Sequence, residues 1–319
     1  MTASPDSSVP RSLAAQRAPD FFIVGHHKSG TTALYEMLRR HPQIYMPGLK
    51  EPRYFAADLR ALVPSPPTHP QTLEQYLALF EGALPQQRAG EASPSYLRSQ
   101  AAASAIAAVQ PAARIIAIFR EPVSFVGSMH LQLLQEHVET EPDLAKAVAR
   151  EALQRQGQVV RRYADHVRYA EQLRRYHAVF PPEQVLALIY DDFRADNEAT
   201  VRRVLRFLDV DDGAPIEVLE ANPTVRVRSM RLDAAVRKLS VGRGPLSGAA
   251  KGVARALLPE DLRRGPLRAM RRSLVYGRPR AADARLVGEL KRRYKPEVVA
   301  LSEYLDRDLV SLWGYDRIV

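Results

Sequence analysis

FFIVGHHKSGTT, residues 21–32, decides how this chain folds. Five small or apolar residues run into a polar loop, His26, His27, Lys28 and Ser29, closed by Gly30. Thr31 and Thr32 then open a segment with Leu34, Met37 and Leu38 at helical spacing. A buried strand that empties through a small polar loop into a helix is how an open α/β sheet presents an anion site, because backbone N–H groups of the turn and helix start point at the ligand. The nucleoside triphosphate loop places its lysine after the second glycine. Here Gly25 and Gly30 keep the glycine spacing, but Lys28 precedes the second glycine and two threonines follow it. On this reading Ser29, Thr31 and Thr32 add hydroxyl donors and Lys28 reaches a leaving oxygen; the plainer alternative is a tight turn with a solvated lysine.

Working outward, ARIIAIF (113–119) and QVLALIY (184–190) read as two further strands. Helices are expected over 31–40, 99–109, 122–135, 197–208 and 282–305, and over 143–178 with a break near Gly157; 70–84 is an amphipathic candidate. Strands separated by helices imply parallel pairing and an open α/β sandwich. Residues 1–20, rich in Ser, Pro and Ala, read as a flexible leader, followed by one domain over 21–319.

The 319 residues contain no cysteine, which removes disulfides, thiolate chemistry and Cys-bound metal. No window approaches the roughly 20 apolar residues of a membrane helix, so the expectation is a chain without a membrane span, placed in the cytoplasm. The formal charge is +10, but residues 226–280 alone hold 15 Lys or Arg against 3 Asp or Glu. This stretch, part of an expected insert or lid at 223–280 of helical or loop character, would attract a multiply charged molecule. No recognisable nucleic-acid-binding motif accompanies it, so nucleic acid is not the expected partner. Oligomeric state is not legible.

Lys28, Ser29, Gly30, Thr31 and Thr32 resemble the Lys-Ser-Gly-Thr-Thr loop of sulfotransferases that use 3′-phosphoadenosine 5′-phosphosulfate (PAPS) as donor and release adenosine 3′,5′-bisphosphate. IIAIFREPVSFVGSMH (115–130) is similar to that family's 3′-phosphate element, with Arg120 at a strand end and Ser128 eight positions later on a helix. LKEPRYFAAD (49–58) and GEASPSYL (90–97) resemble the branch acting on heparan sulfate and other carbohydrates. The resemblance implies a P-loop-like parallel sheet flanked by helices. It assigns the donor to His27, Lys28, Ser29, Gly30, Thr31, Thr32, Arg120 and Ser128, with Asn222, Arg226, Arg228 and Arg243 as candidates for a closing wall.

By the same resemblance Glu51 is the general base, Lys28 stabilises the departing phosphate and Lys50 is a second catalytic cation. Arg53, Tyr54, Phe55, Glu91, Ser93 and Tyr96 shape the acceptor pocket, and no metal is required. Three alternatives stand beside this. Glu51 forms a surface pair with Arg53; His26 or His27 is the base; or Asp191–Asp192 signals a Mg²⁺-dependent small-molecule kinase, against which a helix-capping or acid-patch role is favoured because no Gly-Lys-Thr order is present. A non-catalytic polyanion-binding protein is the third function class. Tyr294, Pro296 and Trp313–Gly314–Tyr315 read as packing for the last helix. Arg outnumbers Lys 39 to 7, as in bacterial proteins from GC-rich genomes, and the expected acceptor is a small hydroxylated molecule: a carbohydrate, glycoside or secondary metabolite.

Overall fold

Five strands make the central sheet: β1 (Phe21–Gly25), β2 (Ile44–Tyr45), β3 (Arg88–Ala92), β4 (Arg114–Phe119) and β5 (Val185–Ile189). A computed structural model describes residues 17–60, 66, 68–136, 138–153, 163–218, 226–227, 276–277 and 283–318. All pairings in this sheet are parallel and the order is β2-β3-β1-β4-β5, so β1 lies between β3 and β4. The connection after β1 runs toward the β2 edge, whereas the one after β3 passes β1 to reach β4, so the strand order reverses beside β1 and its carboxyl end is where an open sheet receives a ligand. A register irregularity between Ile23 and Gly25 precedes the last β1–β4 pair, Gly25 with Ala117.

Alternation along β1 and β4 builds two cores. Phe21, Ile23, Ile116 and Ile118 pack with Leu34 and Leu38 of α1 (Thr31–Arg39), with Phe193 of α9 (Tyr190–Ala195), and with Val204 and Leu205 of α10 (Asn197–Phe207). On the other face Phe22 meets Phe55 and Tyr96, and Phe119 meets Tyr169 of α8 (Tyr169–His177). Every residue of β1 is buried, as a strand covered by helices on both faces requires.

The three expected strands are present, and β2 and β3 are additional. Neither carries a strand signature: β2 is two residues long, and β3 reads Arg-Ala-Gly-Glu-Ala. Its neighbours on both sides make β3 a strand, an instance of context overriding propensity. The 70–84 candidate shortens to α3 (Leu73–Leu77), capped by Thr72, plus a single 3₁₀ turn at Ala78–Phe80. Beside α2 (Ala57–Arg60) and α4 (Ala102–Val109), the long 143–178 pattern resolves into α6 (Leu144–Leu153), α7 (Tyr163–Val167) and α8, with 154–162 outside the described residues. The chain ends on α11 (Ala284–Tyr304), which carries Pro296, and α12 (Leu309–Leu312).

The chain divides into two compact units, Met1–Phe125 with Gln156–Ala221 and Lys291–Val319, and Val126–Arg155 with Asn222–Leu290. The first holds the sheet. In the second, Asp143 caps α6 by accepting from Ala145 N–H at 2.9 Å, and β6 (Arg226–Val227) pairs antiparallel with β7 (Tyr276–Gly277). α5 (Pro122–Gln135) bridges the division in sequence. Of the expected insert at 223–280, only β6 and β7 are described; Asn222, Arg228 and Arg243 lie outside the described residues.

Candidate active site

The loop after β1 is shaped by two left-handed residues, Lys28 (φ 60°) and Gly30 (φ 84°). Gly30 has a second reason to be glycine: a Cβ there would sit 2.8 Å from the Phe193 ring. Gly25 is similarly confined, since a Cβ would lie 2.3 Å from Leu97 Cδ2. The first helical hydrogen bond of α1 runs from Leu34 N–H to Gly30 O, so the N–H groups of Thr31, Thr32 and Ala33 precede the ladder. No side chain caps them and no acidic residue occupies the first turn. That helix start is therefore electropositive, with no carboxylate in its own first turn to compete for its donors.

Within the loop, the hydroxyls expected from sequence divide. Thr32 is exposed, whereas Ser29 and Thr31 are buried; Ser29 turns inward to donate to His27 O at 3.4 Å. His26 is loop packing: its Nε2 meets Gln172 Oε1 at 3.0 Å and its ring lies among Phe119, Phe125 and Tyr169. Burial is the main cause that holds His26 down at about 3, aided by His27 and opposed by the Gln172 bond. His27 is half-buried and is lowered to about 4, first by burial; Glu51 opposes this and Arg53, Lys50 and Arg98 reinforce it. Both imidazoles are neutral at pH 7.

Arg120, one residue past β4, reaches the same loop. Its Nη1 donates to Lys28 O at 2.6 Å, and its guanidinium lies 4.8 Å from the centroid of the Tyr190 ring. The strand-end arginine and the lysine loop, 92 residues apart in sequence, are thus one structure. Ser128 is buried on α5 and falls in the second compact unit, while Arg120 falls in the first.

Glu51 sits in a segment with two further left-handed residues, Glu51 itself (φ 60°) and Arg53 (φ 55°), on either side of Pro52. Non-glycine residues of this kind mark segments that the surroundings over-determine, and here the supports are visible. Glu51 N–H donates to Ala92 O (3.1 Å), Arg53 N–H to Ser93 Oγ (3.1 Å) and Phe55 N–H to Tyr96 OH (3.2 Å). Ser93 N–H and Leu97 N–H in turn donate to Ile23 O and Val24 O of β1, so the Glu51 segment is fastened to the end of the strand that carries Lys28.

The Glu51 carboxylate accepts from Lys50 Nζ at 2.9 Å on one oxygen and from Arg53 Nη2 at 2.7 Å on the other. Burial alone would push its pKa up; His27, Lys50 and Arg53 outweigh that and hold it down at about 2. Of the two sequence readings of Glu51, the ion pair with Arg53 is present, on a half-buried carboxylate that also feels His27 of the loop electrostatically. Arg98, which follows the GEASPSYL stretch and was not singled out from sequence, is half-buried and lowered by burial, with Asp165 and Asp58 opposing and Arg53 adding. Nothing in the polar stretch before it marks it in sequence, since the burial of residues 90–97 appears only in the fold.

The expected acceptor residues separate into a surface and its support. Arg53 and Tyr54 are half-buried; Phe55, Glu91, Ser93 and Tyr96 are buried. Phe55 packs edge-on to Tyr54 and Tyr76. Glu91 is buried, and its Oε2 accepts from Tyr76 OH at 2.7 Å and Tyr96 OH at 3.1 Å. Burial raises Glu91 to about 7 against the opposing hydroxyls of Ser93, Tyr76 and Tyr96. Two carboxyls on neighbouring elements are thus driven in opposite directions by their surroundings.

Asp191 and Asp192, whose pairing invited a Mg²⁺ reading, are engaged elsewhere. Asp191 accepts from Trp313 Nε1 (2.9 Å), and Asp192 is held bidentately by Arg307 at 2.5 and 2.7 Å. Among the described residues no helix is long and apolar enough to cross a membrane.

These features agree with comparisons to known proteins. Mouse heparan sulfate glucosamine 3-O-sulfotransferase 3B1 is 27% identical over 208 residues, covering 64% of this chain and 50% of the mouse protein. Mouse heparan sulfate glucosamine 3-O-sulfotransferase 6 is 32% identical over 125 residues, 38% of this chain and 32% of the relative. The chain thus spans half or less of the length of these curated relatives. A crystal structure of a sulfotransferase from Alicyclobacillus acidocaldarius superposes with a TM-score of 0.65 at 24% identity over 93% of this chain and 99% of that one, a likeness of fold. The family model described as "Sulfotransferase family" matches residues 19–213, which include the lysine loop, the Glu51 segment, Arg120 and Tyr190, and by that match this chain belongs to the sulfotransferase family.

Proposed function

We propose that the protein is an enzyme that transfers a sulfuryl group from PAPS to a hydroxyl of a small carbohydrate, glycoside or secondary metabolite. The observation that carries this reading is the meeting of the lysine loop with Arg120, beside a carboxylate that is ionised at neutral pH. The residues suit such a donor: an uncapped helix start for the 5′ end, a lysine in the loop that leads into it, and a guanidinium for a phosphate at the 3′ end. The donor, when bound, supplies a sulfur centre that accepts a nucleophile as its bond to the phosphate oxygen breaks.

On this proposal Thr31, Thr32 and Ala33 N–H groups and the Thr32 hydroxyl hold the 5′ phosphate, and Lys28 meets the charge that grows on the departing oxygen. Glu51 takes the acceptor proton. A carboxylate held at about 2 is a weak base, but it needs only to receive a proton that becomes acidic as the acceptor oxygen bonds to sulfur. Lys50 and Arg53 each occupy one carboxylate oxygen, and each oxygen keeps a lone pair for the incoming hydroxyl. His27, neutral and facing Glu51, is a donor or packing group in this scheme rather than the base. A carbohydrate-type acceptor is supported by the names of the mouse relatives.

Titration calorimetry with adenosine 3′,5′-bisphosphate, without added Mg²⁺, tests donor recognition; mass spectrometry of varied glycosides, phenols and alcohols incubated with PAPS tests transfer. Binding and a sulfuryl adduct are the expected results. Absence of bisphosphate binding together with Mg²⁺-dependent ATP turnover would establish the kinase instead, and salt-sensitive polyanion binding without either would establish the non-catalytic alternative.

A further inference from the structure

The last pair of the β4–β5 ladder is Phe119 with Ile189, so Arg120 and Tyr190, the first residue after each strand, lie just beyond it. Each is followed by a carboxylate, Glu121 and Asp191, and both carboxylates are bound by the chain's C-terminal segment. Tyr315 OH donates to Glu121 Oε1 at 2.6 Å, and Trp313 Nε1 donates to Asp191 Oδ2 at 2.9 Å. Glu121 also accepts from Val123 and Ser124 N–H at 2.9 and 2.6 Å, fixing the start of α5. Arg307 adds its bidentate pair to Asp192.

The segment is itself anchored. Lys291 Nζ donates to Trp313 O at 2.8 Å and Gly314 O at 3.0 Å and lies 5.0 Å from the Tyr315 ring centroid. Gly314, at φ 67°, makes the turn between the two aromatic residues. Packing of the last helix would need only their apolar rings. Their polar atoms instead tie down the residues adjacent to Arg120 and Tyr190.

We propose that Trp313 and Tyr315 are positioning residues for the donor's 3′-phosphate: the segment 307–315 splints the carboxyl ends of β4 and β5 and so sets the spacing of Arg120 over Tyr190. This rests on the reading of Arg120 as the 3′-phosphate ligand, and it assigns to the C-terminal residues a role in nucleotide discrimination beyond packing. Because Arg120 also bonds the Lys28 carbonyl, the splint is connected to the lysine loop through one side chain.

The test compares adenosine 3′,5′-bisphosphate with 5′-AMP, which lacks only the 3′-phosphate, by titration calorimetry on the full chain and on Tyr315→Phe and Trp313→Phe, with thermal melts alongside. Each variant is expected to weaken the bisphosphate about fivefold, the scale of one hydrogen bond's net worth, and 5′-AMP by less than about twofold. The preference for the 3′-phosphate therefore falls. Equal weakening of both nucleotides, or of neither, overturns the proposal by showing a general loosening or no coupling. Should an aromatic variant not fold, Glu121→Gln weakens the same Tyr315 bond with both rings in place and is read by the same ratio. A wild-type protein with no preference for the bisphosphate overturns the donor reading itself and this proposal with it, and is distinguishable because it appears before any variant is made.

Discussion

Arg53→Gln tests whether Glu51 is held ionised by its neighbours. The carboxyl is displaced from the ordinary 4.5 to about 2, a differential interaction of about 3 kcal/mol between its charged and neutral forms at roughly 1.4 kcal/mol per tenfold. Burial opposes that displacement, and His27, Lys50 and Arg53 share it. Side-chain exposures of 20% for Glu51 and 30% for Arg53 leave moderate screening, so the Arg53 share is about 1–2 kcal/mol. A depressed carboxyl pKa stabilises the fold above the unfolded value, and that stabilisation disappears as pH falls through the folded value. The variant is therefore expected to be less stable than wild type by about 1–2 kcal/mol at pH 7, with the gap closing as pH drops from 4.5 toward 2. Urea unfolding at pH 7, 5, 4 and 3 measures it. In parallel, with Glu51 as the proposed base, the acid limb of kcat/KM should move upward in pH, because its carboxylate becomes easier to protonate. A stability gap that is constant with pH, or that widens in acid, refutes the reasoning.

Three further outcomes follow from the same geometry. Glu51→Gln should lower kcat by roughly 10²–10⁴ while leaving adenosine 3′,5′-bisphosphate binding unchanged in titration, and retained turnover there with loss in His27→Ala would move the base to His27. Glu91→Gln should gain stability relative to wild type as pH rises from 5 to 8: burial has raised Glu91 to about 7, so the protonated form's advantage is lost through that range in wild type and not in the variant; parallel melting curves would count against it. Gly30→Ala should cost at least about 1 kcal/mol and weaken the bisphosphate, because φ is 84° and the new Cβ meets Phe193; a variant that melts and binds like wild type would contradict the loop geometry.

What was legible from sequence was what local pattern encodes. β1, β4 and β5 are apolar runs that needed no partner to be recognised, and Lys28, Gly30 and Arg120 sit at their ends, where a change from apolar to charged marks the edge of the sheet. β3 was recognised as a motif but not as a strand, because Arg-Ala-Gly-Glu-Ala has no strand propensity and owes its conformation to β1 and β2 on either side. The same motif did not reveal the surroundings of Glu91, whose Oε2 accepts from Tyr76 OH, fifteen residues earlier in the chain, a partner that no local pattern announces. For Glu51 the pair with Arg53 was legible in sequence, but the left-handed backbone at Glu51 and Arg53, and the placing of Lys50 and Arg53 on opposite oxygens of one carboxylate, were not. Least legible were Trp313 and Tyr315, whose partners lie 122 and 194 residues away. Sequence pattern thus located the candidate charges and two of the neighbours of Glu51, while the contacts of Arg120 with Lys28 O, of Tyr315 with Glu121 and of Trp313 with Asp191 are long-range and only the fold brings them together.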